Sequence, residues 1–150
     1  MKENYDGYKF SLEAKNQIYN SNMCLYFLNR YIEFGKIPTK LIDVNIASDY
    51  SKIGKMLDLC KGENRLEILQ KTVQGEPMVS NIVEKFNPAI EFNETDMISM
   101  LYYLGYLTIS GEDLGMPELT IPNKVMKEIY ADYFMQLMNQ EADFRIDNAR

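Results

Sequence analysis

The 150-residue chain contains no histidine and no tryptophan, two cysteines, five prolines, and fewer basic than acidic residues. Each shortage excludes something. Without histidine, the commonest general base near neutral pH and the commonest nitrogen ligand for metals are missing. The two cysteines, Cys24 and Cys60, cannot make a zinc site alone. Both lie in apolar helical patterns, where a cysteine serves as a small core residue. A reducing compartment would disfavour a disulfide between them. No apolar run approaches the roughly 18 residues that a membrane-spanning helix needs. The opening MKENYDGYKF also lacks the apolar centre of a secretory leader. The chain therefore reads as cytoplasmic, with no membrane partner.

Catalytic signatures are missing too. The sequence holds no GxSxG, no GxxxxGK[ST] phosphate loop and no GxGxxG. Glu13-Ala14-Lys15 matches the ExK end of a PD-(D/E)xK nuclease motif, but no Pro-Asp strand precedes it within reach. The acidic pieces GED (111–113) and EADFRID (141–147) read as solvated carboxylates rather than Mg²⁺ ligands. The expectation is a chain that is not an enzyme, with no cofactor and no metal.

What is present is size and pattern. With 46% hydrophobic and 25% charged residues, the composition is that of one globular domain able to bury a core unaided. The aromatic opening, Tyr5, Tyr8 and Phe10, reads as a turn followed by an extended segment. Asn20 or Ser21 caps a first helix whose residues Met23, Leu25, Phe27, Leu28, Tyr31 and Ile32 leave little polar face, predicting burial. Gly35 stops it, and Pro38 prevents resumption. A second helix runs from Ser48 or Asp49 to Gly62, with Tyr50, Ile53, Met56, Leu57 and Cys60 as its stripe. Asn64 and Glu67 form a capping box for a third, carrying Leu66, Leu69 and Val73 until Gly75.

Pro77 and Pro88 exclude a continuous helix over 76–92, where Met78-Val79 and Ile82-Val83 read as extended or as one turn. Asn93 with Asp96 caps the next helix. Its inner face is Met97, Ile98, Met100, Leu101 and Leu104, and Gly105 ends it. The period then shortens to two. Residues 106–109 and 118–121 read as strands joined by a long turn holding Gly111, Gly115 and Pro117, with Glu112 and Asp113 projecting from it. Pro122 closes the hairpin. Asn123 caps a final helix with Val125, Met126, Ile129, Tyr130, Tyr133, Phe134, Leu137 and Met138 at helical spacing. Residues 139–150 lose the stripe and read as a linker or tail.

The fold class that follows is mainly α (α+β): a helical bundle with a C-terminal winged-helix-like helix, hairpin and helix. Residues 1–92 form the helical segment, and 93–138 the winged-helix-like unit packed on it. Charge argues against nucleic acid as its direct partner. Residues 1–40 hold six Lys/Arg against four Asp/Glu, 41–75 hold five against five, and 76–150 hold five against thirteen. The hairpin lies in the most acidic part, whereas phosphate contact needs the opposite sign.

Four motifs carry a family resemblance: YDGYKF (5–10), IYNSNMCLYFL (18–28), MLYYLGYLTI (100–109) and LTIPNKVMKEIY (119–130). Their order and spacing over most of residues 5–138 resemble the C-terminal half of the bacterial AAA-ATPase-like domain, commonly followed by a PD-(D/E)xK nuclease-superfamily domain. Ser21 departs from the proline often found after the family's Tyr-Asn pair. The resemblance implies a P-loop upstream of Tyr5 and a nuclease-like domain downstream of the last helix. This chain would then be a noncatalytic subdomain of a P-loop ATPase-like protein, with those two parts as its partners. A stand-alone acidic protein-interaction adaptor is the alternative. The motif residues proposed for structure or interaction are Tyr5, Asp6, Gly7, Tyr8, Phe10, Tyr19, Asn20, Gly105, Tyr106, Pro122 and Asn123.

Overall fold

The computed structural model describes residues 1–41, 65–86 and 92–148. The helix expected from Ser48 or Asp49 to Gly62, Cys60, the Asn64 cap, the Leu66 side chain and Pro88 lie outside the described residues.

Helix α1 (Lys2–Tyr5) is one short turn, so the opening is helical at Tyr5 rather than extended. A single antiparallel bridge, Tyr8 to Ile18, follows it. Helix α2 (Ser21–Phe34) starts at Asn20, whose side chain accepts from the Met23 N–H, and stops at Gly35 in the left-handed conformation. Helix α3 (Arg65–Gln74) ends as the Glu76 N–H reaches the Lys71 carbonyl at 3.1 Å, with Gly75 at φ +80°. That six-to-one bond satisfies a carbonyl the helix leaves open. Strand β1 (Met78–Val79) comes next. Helix α4 (Glu94–Tyr103) begins with the full capping box of Asn93 and Asp96. The hairpin of β2 (Thr108–Asp113) and β3 (Met116–Thr120) leads into helix α5 (Lys124–Asn148).

The architecture among the described residues is thus α+β: five helices and one antiparallel sheet of order β1-β3-β2. Leu119 sits at the centre of that sheet, facing Met78 on one side and Ile109 on the other. Leu107, Ile109 and Leu119 are buried, and together with Val125, Ile129 and Tyr130 they belong to one core with Leu69, Met97, Leu101 and Tyr5. Ser99 supplies the polar brace inside it. Its hydroxyl donates to the Thr95 carbonyl at 2.7 Å and accepts from the Val83 N–H at 2.9 Å, holding the loop after β1 against α4.

Several expectations are corrected. Helix α2 is not buried: Met23 is its one buried residue, and Leu25, Leu28, Tyr31, Ile32 and Phe34 are exposed. An apolar stripe specifies only that a face wants cover, not that this chain supplies it. Leu104 is exposed rather than inward, because the helix ends at Tyr103 and the chain turns at Gly105. Met138 is exposed as well. The hairpin turn is short, not long. Asp113 pairs with Met116, so only Leu114 and Gly115 form the loop, both at positive φ. Those dihedral signs match the primed turns whose twist suits a hairpin. Glu112 and Asp113 are therefore strand residues, Gly111 lies beside a register irregularity, and Pro117 is inside β3. Helix α5 extends over residues 139–148 as well.

Candidate functional site

Most of the motif residues meet at one joint between the opening of the chain, the start of α2, the hairpin base and the start of α5. Asp6 follows α1 in extended backbone, and its carboxylate accepts from the Gly7 N–H at 2.9 Å. The Asp6 carbonyl accepts from the Asn123 side-chain amide at 3.1 Å. The other end of that amide caps α5, accepting from the Met126 N–H at 3.1 Å. One asparagine therefore fixes two elements.

Gly7 makes this approach possible. At φ +105° it takes a conformation that side chains disfavour, and it lies directly against the Pro122 carbonyl. Beyond it, Tyr8 and Ile18 exchange backbone hydrogen bonds at 3.2 and 2.8 Å, while the Asn20 N–H donates to the Tyr5 carbonyl at 2.9 Å. The Asn20 amide, which already caps α2, lies 3.5 Å from the Tyr8 hydroxyl. Gly105 sits beside the Tyr8 ring, and the next residue, Tyr106, accepts through its carbonyl from the buried Tyr130 hydroxyl at 3.2 Å.

Phe10 stacks on Tyr8 and tilts against Tyr102, yet remains half exposed. Tyr19 is exposed and, unlike its neighbour Asn20, contributes no cap. Sequence reasoning missed Lys9 and Thr108. The Lys9 N–H donates to the Thr108 hydroxyl at 2.6 Å, and the Lys9 carbonyl accepts from the Ile109 N–H at 3.2 Å, so the opening segment lies along the β2 edge. A threonine opening a strand carries no signal for such a pairing.

The electrostatics of the joint favour neutral hydrogen-bonding groups. Burial pushes the Tyr5 phenol up to about 12 and the Tyr130 phenol well above its ordinary value. Burial also raises Tyr8, against the lowering effect of hydrogen bonds from Asn20 and Asn123. These phenols stay protonated at physiological pH and act as hydrogen-bonding groups, not as bases: Tyr5 and Tyr130 donate to the Leu41 and Tyr106 carbonyls, whereas Tyr8 accepts from the Asn20 amide. Burial raises the Cys24 thiol too, and the nearby Asp6 carboxylate adds to the effect, which weakens it as a nucleophile. Among the described residues no three carboxylates or thiols group as metal ligands, and no helix is long and apolar enough to cross a membrane. The arrangement can position backbone and bury rings.

The second feature is the outward side of α2. Leu25, Leu28 and Ile32 recur at spacings of three and four, and Leu25 and Ile32 are 58% and 79% exposed. The same helix holds Phe27 against Tyr5 in an edge-to-face contact, so its inner side is seated while its outer side meets solvent. No protein-family profile, curated protein or solved structure matches the chain.

Proposed function

We propose that this chain is a noncatalytic docking subdomain of a P-loop ATPase-like protein, located in the cytoplasm and built to seat another polypeptide domain. The observation that carries the reading is the uncovered apolar side of α2, since a stripe of Leu25, Leu28 and Ile32 in solvent is the usual mark of an interaction surface. Two further features support it. The four motifs behind the family resemblance contribute to a single joint although they lie far apart in sequence, as residues of one inherited unit would. The order α4, hairpin, α5 fits a winged-helix-like unit, and the exposed Glu112 and Asp113 on its wing repel phosphate, so the wing favours protein contact over nucleic acid.

Titration calorimetry tests the reading. The purified chain gives no heat with Mg-ATP, and it binds the purified P-loop half of an AAA-ATPase-like protein through α2. Leu28→Glu together with Ile32→Glu abolishes that complex while leaving the circular dichroism unchanged. ATP hydrolysis by the chain alone, or a complex indifferent to both substitutions, refutes it.

A further inference from the structure

A cavity of about 430 Å³ opens at the end of α2, lined by Tyr26, Arg30, Phe34, Lys36, Ile37 and Lys40, with Pro38 and Thr39 completing the wall. Its chemistry differs from that of the rest of the molecule. Three cations surround it on a chain of net charge −6, and its walls are aromatic and aliphatic.

The cavity is built rather than left by a loose loop. The Tyr26 hydroxyl donates to the Lys40 carbonyl at 3.3 Å across it. The Gly35 N–H closes the helix on the Tyr31 carbonyl at 2.9 Å, and the Tyr5 hydroxyl donates to the Leu41 carbonyl at 2.8 Å, tying the segment after Pro38 to the core. Arg30 is held between two rings, its guanidinium carbon 5.7 Å from the centroid of Tyr26 and 5.7 Å from that of Phe34. These cation–π contacts restrain the guanidinium, whose N–H groups remain partly exposed to solvent. One carboxylate, Glu33, meets Arg30 at 3.2 Å, in an exposed pair of the weak kind that an incoming carboxylate can replace.

We propose that this cavity receives an acidic peptide segment: one apolar side chain enters between Phe34 and Ile37, and flanking Asp or Glu carboxylates pair with Arg30, Lys36 and Lys40. Charge complementarity selects the occupant. A small inorganic anion would use the cations but leave the exposed Phe34 and Ile37 uncovered. A nucleic-acid strand needs a track of cations along its backbone, whereas these three cluster at one concavity on an acidic chain. The proposal rests on the docking reading only in taking a polypeptide as partner. It assigns that polypeptide a second contact, on a different side of α2 from the Leu25, Leu28 and Ile32 stripe.

Fluorescence anisotropy with the full chain and a labelled dodecapeptide of Asp, Glu and Gly around one central Phe tests it. Saturable binding that weakens with added salt is expected, lowered about tenfold by replacing either the acids with lysine or the Phe with serine. Arg30→Glu, and separately Lys36→Glu with Lys40→Glu, should produce a similar loss, the second pair lying outside the helix and so sparing its stability. Leu28→Glu with Ile32→Glu should leave peptide binding intact, which separates this cavity from the stripe. No binding, equal binding of the lysine peptide, binding that survives both charge reversals, or displacement by inorganic phosphate or a single-stranded oligonucleotide as readily as by unlabelled peptide overturns the proposal.

Discussion

Gly7 and the carbonyl of Pro122 are packed so closely that a methyl group on Gly7 would come within 2.0 Å of the carbonyl oxygen. Backbone lies on both sides of this contact, so no side-chain rotation can relieve it. Gly7→Ala should therefore combine a disfavoured positive φ with a steric clash and cost at least about 2 kcal/mol. Gly35→Ala is the control, because φ is again positive but the space around it is empty. Its cost should stay near ~1 kcal/mol. Urea denaturation of the two variants checks the ranking, and equal midpoints would contradict the close approach.

Leu119 and Ile121 differ in burial although the alternating sequence pattern puts both on one apolar side. Leu119 is fully buried in the middle strand, whereas Ile121 is only partly covered. Leu119→Ala should cost about 2–5 kcal/mol and Ile121→Ala clearly less. Glu112→Lys with Asp113→Lys, on the exposed end of β2, should stay within ~0.5 kcal/mol of the parent. Thermal melts of the three variants give the order directly.

Leu114 occupies the first position of the hairpin turn at φ +48° with its side chain almost wholly in solvent. It contributes no packing there and takes a conformation that asparagine tolerates better. Leu114→Asn is expected to raise stability by roughly 0.5–1 kcal/mol. A fall in the melting temperature would mean that the turn is of another type.

Alkaline pH should unfold the protein through its buried phenols. An unfolded tyrosine ionises near pH ~10, while Tyr5 retains its proton up to about 12 and Tyr8, Tyr102 and Tyr130 are also raised, chiefly by burial. Above the unfolded value the denatured chain releases protons that the fold keeps. The stabilising effect is thus complete below about pH 10 and is lost as pH rises toward the folded values. The last part of the phenolate absorbance, from the buried rings, should appear together with loss of circular dichroism, and Tyr5→Phe should weaken the alkaline dependence. Ionisation of every tyrosine near pH ~10 in a still-folded chain would count against this burial.

Local chemistry made much of the fold legible. Asn20, Asn93 and Asn123 all cap the helices they precede, and Gly35, Gly75 and Gly105 all adopt positive φ after a helix, because these roles depend on bonds within a few residues. The errors fell where distance or context decides. Leu114 carries no ordinary turn signal, so the sequence points to a longer hairpin loop than the two residues that form it. Helix α5 runs to Asn148 although the apolar pattern in the sequence stops at Met138, since backbone hydrogen bonds propagate a helix without that pattern. Of the joint, the helix caps Asn20 and Asn123 were legible, but its closure by Lys9 and Thr108 was not, as each is an ordinary polar residue until the other lies beside it.

The distance spanned by that joint governs the order in which the chain can become native. Asp6 and Asn123 are 117 positions apart, and Lys9 and Thr108 are 99 apart. Closing a loop of the larger size costs about 4 kcal/mol of chain entropy before the contacts reward it, which marks the joint as a late event in folding. On a ribosome adding about 5–20 residues per second, Asp6 emerges roughly 6 to 23 s before its partner. During that interval Tyr5 and Tyr8 have neither α5 nor the hairpin to close upon, and a chaperone has its longest access to them. Protease resistance of nascent chains should accordingly rise in one late step once Asn123 has left the exit tunnel, and an earlier gradual rise would place the joint among the first contacts instead.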